Sequence, residues 1–311
     1  MEVIKEPEDK LVRYSPGQVE NIRKEYKIDQ NAIVILEEWI KQQDHFIKKD
    51  FSHGYIERCI LTCKGSLENT KKQIDAMCTM RTLMSKYFKI TDLKHKEMTA
   101  FMSKFHCAFM PYPTEEYYRT IILRVKPDAV FKNSDFTLYL TFLTILGEYL
   151  KSYDYCQGNY FIVDIFDANV AEILSKVNLV ELQQFVPVIT VGYGCKIKGV
   201  YLVTASKFID SFLKLVKPLF SEKIASRIHA VTSRKQMHGL IGDIIPEEYG
   251  GTVKPVEQLH EDLIKSLTAE PFQQFLKEMS KAATDESKRK VDKFNEKYMG
   301  MAGTFRKLAL D

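Results

Sequence analysis

The chain has 311 residues, 45% hydrophobic and 28% charged, with 45 Lys and Arg against 41 Asp and Glu, a formal net charge of +4. That composition excludes a disordered chain, a collagen and a small disulfide scaffold, and the length suggests about two domains. Spread evenly, so small a charge would say nothing about partners.

Only 14 glycines and 10 prolines punctuate the chain, which favours long helices. No apolar run approaches the roughly 20 residues of a membrane span. The opening MEVIKEPEDKLVRYSP is charged and lacks the apolar core of a signal peptide. The six cysteines follow no disulfide spacing, so free thiols and a cytoplasmic location are expected.

The first hundred residues read as helical. Ser15-Pro16 is expected to open a helix over 17–27, and Asp29 precedes a second periodic stretch over 32–42. A third helix is expected over 55–63, ended by Gly65, and Ser66 is expected to cap a long one reaching about Phe88. From about Tyr118 the character changes. Strands are expected over 120–125, 160–166, 196–203 and 228–231. Helices are expected between them: from Asp135, capped by Ser134, to about Lys151; over 170–191; over 206–220; and over 221–226. Alternating strands and helices imply βαβ units and a mainly parallel sheet. The stretch after Pro255 reads as helical again.

The common catalytic fingerprints are missing: no GxxxxGK[ST], no GxSxG and no HExxH occurs. Gly192, Gly194 and Gly199 precede a strand, the wrong context for a dinucleotide loop. Cys59 and Cys63, with His53 nearby, read as core thiols rather than a metal site, because a fourth ligand is not evident. His229 reads as a core histidine. No cofactor is expected, and no nucleophile–base pair stands out.

The informative segment is SKFIDSFLKLVKPLF, 206–220. Phe208, Ile209, Phe212, Leu213, Val216, Leu219 and Phe220 share one helical face, and Lys207, Asp210, Ser211, Lys214 and Lys217 the other. An ordinary core-packed helix is one reading; a lid over an apolar pocket, or a membrane-surface helix, is the other. Between Lys196 and Lys235 there are nine Lys/Arg and two acids, +7 in 40 residues, leaving −3 for the rest. Lys196 and Lys198 are expected to share a strand face and Lys223 and Arg227 a helix face, which suggests an anionic partner. Nucleic acid is the weaker option, since no accompanying motif is present.

The stretch CKIKGVYLVTASKFIDSFLKLVKPLFSEKIASRIHAV (195–231), followed by IPEEYGGT (245–252), resembles the CRAL-TRIO lipid-binding family, in particular its tocopherol- and retinaldehyde-binding group. RCILTCKGSLENTKK (58–72) is similar to the family's helical N-terminal domain, and GTFRKLALD (303–311) to a common tail. The resemblance implies an α/β protein: a helical bundle over 1–100, a CRAL-TRIO α/β/α domain over 101–255 and a helical extension over 256–311. It implies a non-enzymatic carrier holding one hydrophobic lipid under a mobile lid helix. The implied pocket positions are Leu138, Thr141, Ile145, Phe161, Val163, Phe185, Val188, Ile189 and Val200. The lid contributes Phe208, Ile209, Phe212, Leu213 and Val216. Lys196, Lys198, Lys223 and Arg227 fall at phosphoinositide-binding positions. The expected action is lipid release at phosphoinositide-containing membranes by a peripherally associated protein. A phosphoinositide-sensing trafficking adaptor without transported cargo is the alternative.

Overall fold

The structure is a computed structural model, and it describes residues 11–290. The tail similarity at 303–311 lies outside the described residues. Five helices come first: α1 (Gln18–Glu25), α2 (Gln30–Gln42), α3 (His53–Thr62), α4 (Leu67–Leu83) and α5 (Lys96–Met102). Three of their starts follow from side chains that accept an otherwise orphaned backbone N–H. Asp29 accepts from Ala32 at 2.8 Å, Ser52 from Tyr55 at 3.2 Å and Ser66 from Asn69 at 3.3 Å. Ser15 does not cap α1; Gly17, at φ +81°, occupies that position. At the end of α3 the left-handed pair Lys64 and Gly65 returns N–H bonds to Leu61 and Ile60. A side chain at Gly65 would collide with the Tyr26 carbonyl. The helix expected to reach Phe88 stops at Leu83, and a 3₁₀ turn, Ser85–Tyr87, follows. Ile22, Leu36, Ile40, Ile56, Ile60 and Cys78 form the core of this region.

The remainder alternates: β1 (Phe105–Phe109), β2 (Tyr118–Val125), α6 (Asp135–Tyr153), β3 (Gly158–Asp164), α7 (Val170–Ser175), α8 (Leu179–Pro187), β4 (Ile197–Val203), α9 (Phe208–Val216), α10 (Glu222–Ala225), β5 (Ile228–Val231) and α11 (Gln236–Ile241). α12 (Val256–Leu267) and α13 (Glu270–Met279) close it. Ser134 sits at the start of α6 but makes no capping bond. Asp135, the first helical residue, instead accepts from the Lys132 N–H and from Lys104 Nζ, which fixes the turn leading into the helix. The single helix expected over 170–191 is broken. Asn169 and Asn178 each cap a separate helix, and Pro187 is followed by a π-helical turn, Val188–Gly192.

The five strands are ordered β1-β2-β3-β4-β5, with β1 antiparallel to β2 and the other pairs parallel. Because β2 to β5 are neighbours in chain order, right-handed crossovers all place their helices on one face. α6, α8 and α9 are those crossover helices. The opposite face is covered by α11 and α12 through Met237, Ile241, Val256 and Leu259, which pack on Ile122, Ile162 and Val203. Among the described residues no helix is long and apolar enough to cross a membrane.

Candidate functional site

Between the sheet and the crossover helices lies a cavity of about 250 Å³. The sheet supplies Ile121, Leu123, Phe161, Val163 and Val200, which alternate onto one face of their strands. α6 supplies Tyr139, Leu143, Leu146, Gly147 and Leu150 at helical spacing. α8 and the π-helical turn supply Leu182, Phe185, Val186, Ile189 and Thr190. Phe220, just beyond α9, closes one side. Helices with π turns often mark functional sites, and here the turn brings Ile189, Thr190 and then Tyr193 to the wall.

Five of the expected pocket residues therefore meet: Phe161, Val163, Phe185, Ile189 and Val200. Leu138, Thr141, Ile145 and Val188 do not line the cavity. On α6 the lining stripe runs through 139, 143, 146 and 150, about one residue round the helix from the expected 138, 141 and 145. The cause is that α6 is buried on several sides. Phe142, Ile145 and Tyr149 pack with α5 and α13, and Phe136 and Leu140 pack against Tyr87 and Phe185. Thr141 donates to the Thr137 carbonyl at 3.0 Å. Val188 is buried in the cluster with Phe136.

One end of the cavity is polar. Arg58 and Thr62 of α3 line it, with Lys151 of α6, Asp154, Asn159, Cys195 and Lys196. Lys151 is 4% exposed. Its Nζ donates to Thr62 Oγ1 at 2.7 Å, the Arg58 carbonyl at 3.3 Å and Gln73 Oε1 at 3.4 Å. Gly194, at φ +64°, must be glycine here, because a Cβ would lie 1.8 Å from the Gln73 amide nitrogen. Burial first, then the positive charges of Lys64, Lys151 and Lys198, push Lys196 down to about 8. Burial pushes the Cys195 thiol up to about 12 and raises Cys156 as well. Asp154 is fully engaged. It binds Arg119 through both oxygens at 2.8 and 2.9 Å, accepts from the Cys156 N–H and takes the Tyr14 hydroxyl. Of this end, sequence reasoning singled out only Lys196, and that for a phosphoinositide; Lys151 reads as an ordinary cation at a helix C-terminus.

α9 lies beside the cavity and not over it. Ile209 and Leu213 are buried with Ile228, and Phe212, half-buried, packs at the margin of that cluster, as do Val200 and Leu202; Val216 is buried too. Phe208, expected to face the pocket, is 62% exposed, as is Leu215. The segment's apolar residues thus form two stripes. Residues 209, 213 and 216 face the protein, and Phe208, Phe212, Leu215 and Leu219 form an outer stripe at spacings of four, three and four.

The basic residues also separate. Lys196 lines the cavity, whereas Lys198 turns to Tyr118, donating to its hydroxyl at 2.9 Å. The strand alternation that would place them together is interrupted: Asn159 pairs with Ile197 and Tyr160 with Gly199, leaving Lys198 as the extra residue of a bulge. Arg227 donates to the Ile197 carbonyl, so it sits beside Lys198 at the start of β4. Lys223 is exposed. Arg234 is committed to Asp164 and Asp167 at 2.6 and 2.5 Å. Among the described residues Lys207, Lys214, Lys217, Lys223 and Lys235 form no ion pair. His229 is not in the core; it is exposed on the edge strand β5 and stacked on Tyr201 at 5.8 Å. Among the described residues no group of three or more metal-ligating side chains occurs, and all six cysteines are free.

A sheet with its crossover helices on one face, an apolar cavity between them and an amphipathic helix at its rim can be compared with known families. The model of the CRAL/TRIO domain matches residues 103–251. Residues 103–251 form a CRAL/TRIO domain. Residues 26–98 match the model of a Pinta-like UBA domain. Among solved structures, the crystal structure of Sfh5 is similar, at a TM-score of 0.53 and 12% identity, over 86% of this chain and 99% of that one. At that identity the likeness concerns the fold alone. No curated protein matches the sequence. The CRAL/TRIO family is one of lipid-binding transfer proteins, and the cavity is lined by residues of that domain together with Arg58 and Thr62 from the region before it.

Proposed function

We propose that the protein carries one hydrophobic lipid in the cavity and releases it at phosphoinositide-containing membranes. The observation that carries the reading is the cavity itself, enclosed by apolar side chains of β2, β3, β4, α6 and α8 within a CRAL/TRIO domain. Burying an apolar ligand there yields about 25 cal/mol per Å² before association costs. A tocopherol- or retinoid-like molecule suits such walls.

The outer stripe of α9 supports membrane docking. Phe208 and Leu215 are exposed apolar residues flanked by the exposed, unpaired Lys207 and Lys214. An apolar stripe bordered by lysines suits insertion into an anionic interface, and each Lys or Arg near such a leaflet contributes roughly 1 kcal/mol. Lys198, Arg227 and Lys223 offer the phosphoinositide contacts; Lys196 faces inward. If docking favours a conformation in which α9 and Phe220 move away from the cavity, it shifts the population toward release. The reading is of a binder and not a catalyst. The three thiols on the cavity wall, Cys107, Cys156 and Cys195, are held protonated by burial, and the lining carboxylate is bound to Arg119.

Two measurements test this. Gentle purification followed by native mass spectrometry should reveal one bound lipid per chain, and a chain that arrives empty and takes up none favours the adaptor. Fluorescent lipid transfer between vesicles should be accelerated by phosphatidylinositol phosphates in the acceptor. Transfer that ignores acceptor charge would remove the release mechanism.

A further inference from the structure

Three cations line the polar end of the cavity, Arg58, Lys151 and Lys196, and no free anion does; the Arg58 guanidinium donates to the Lys151 carbonyl and the Tyr155 hydroxyl. Lys151 is almost wholly buried, and its three hydrogen-bond partners, Thr62 Oγ1, Gln73 Oε1 and the Arg58 carbonyl, are neutral. Lys196 faces the same end, and among the described residues no hydrogen bond or ion pair holds its ammonium. The carboxylate lining that end, Asp154, is occupied by Arg119, Tyr14 and the Cys156 N–H. Burying a charge without a counter-charge is costly, and structures normally pair it. Two other deeply buried cations are paired with carboxylates: Arg119 with Asp154 and Arg81 with Glu148. Burial, then the positive charges of Lys64, Lys151 and Lys198, lower Lys196, and an anion placed beside its ammonium would relieve that depression.

Resting on the carrier reading, we infer that the cargo is an amphiphile with an anionic headgroup, bound with its head against Lys151 and Lys196 and its tail among Leu143, Phe161, Phe185 and Ile189. A carboxylate and a phosphate share this chemistry. Thr62, Gln73 and the Arg58 carbonyl take the three donors of the Lys151 ammonium but do not neutralise it, and the two longer bonds, at 3.3 and 3.4 Å, are the ones an anionic head would replace. The site is assembled across two regions, with Thr62 and Gln73 from the first helices and both lysines from the CRAL/TRIO domain.

The full chain is tested with probes matched in their tails: oleate, 1-oleoyl lysophosphatidate and oleyl alcohol, and separately retinoate and retinol. Binding is read by native mass spectrometry and by displacement of a fluorescent fatty acid. At least one anionic probe should bind about tenfold more tightly than its neutral counterpart, the cost of leaving a charge-assisted bond unmade. Oleate against lysophosphatidate then separates a carboxylate from a phosphate head. In Lys151→Met that preference should fall to within about twofold, the acid losing far more affinity than the alcohol; Lys196→Met should reduce it partially. A purely structural role for Lys151 would lower both probes together. Equal wild-type affinity for acid and alcohol, or a preference that survives both substitutions, overturns the anionic-head assignment and leaves the carrier reading standing. Failure to bind any probe, with no co-purified lipid, overturns both.

Discussion

The protein buries its cations in two ways, and the two lie close together. Beneath β2, Arg119 is fully buried with Asp154, also fully buried; burial opposes its charge, but Asp154 more than offsets this and pushes Arg119 up. Arg119 further donates to the carbonyls of Met110 and Pro111, so its guanidinium is saturated. At the cavity end, Lys151 is about as buried but has only neutral partners. The planar fork of arginine suits a permanent bidentate partner, whereas the compact lysine ammonium suits an exchangeable one. Charge compensation thus separates scaffold from site: where a buried cation has its own carboxylate it fixes the chain, and where it has none it awaits a ligand.

Substitutions can break or sharpen that contrast. The largest effect is expected from Arg119→Met, which strands Asp154 without compensation and should cost about 3–5 kcal/mol in urea unfolding. Lys151→Met in lipid-free protein should do the opposite, leaving stability unchanged or raising it by roughly 1–2 kcal/mol, since it removes an uncompensated charge. A loss comparable to that of Arg119→Met would show that both cations are scaffold. Lys196→Met should stabilise by roughly 1 kcal/mol at pH 7, its partial exposure tempering the effect. The sign of its pH dependence is fixed. The folded state holds Lys196 at about 8 and the unfolded chain near 10.5, so between these values the folded state binds fewer protons and wild-type stability rises with pH. The advantage of the methionine variant should be full below pH 8 and gone near 10.5, read from unfolding midpoints across that range. Smallest for folding is Phe208→Ser with Leu215→Ser, expected within about 0.5 kcal/mol of wild type. That pair should nevertheless weaken partition onto anionic vesicles in a sedimentation assay; unchanged partition would remove the outer stripe of α9 from the docking surface.

Much of the architecture was legible in the sequence because capping residues and periodicity act locally. Asp29, Ser52 and Ser66 mark helix starts, and β5 lies where its apolar residues put it. β1 was not legible: FHCAF is nearly all buried, so it shows no alternation. The pocket face of α6 was missed for a related reason, since a helix enclosed by α5, α13 and the sheet has no single apolar stripe to point the way. The bulge at Lys198 separated two lysines that simple alternation placed together. Lys151 gave no local signal, because what makes it unusual is supplied by Thr62 and Gln73, more than 75 residues away.

That last arrangement bears on how the two matched regions persist together. The Thr62–Lys151 bond and the tight approach of Gln73 to Gly194 join the stretch matching the UBA model to the stretch matching the CRAL/TRIO model. An excised CRAL/TRIO segment would present Lys151 to water, and a chimera with foreign leading helices would inherit half of a polar seat. The two segments are therefore expected to be inherited as a unit, with cargo preference altered by exchange of either one.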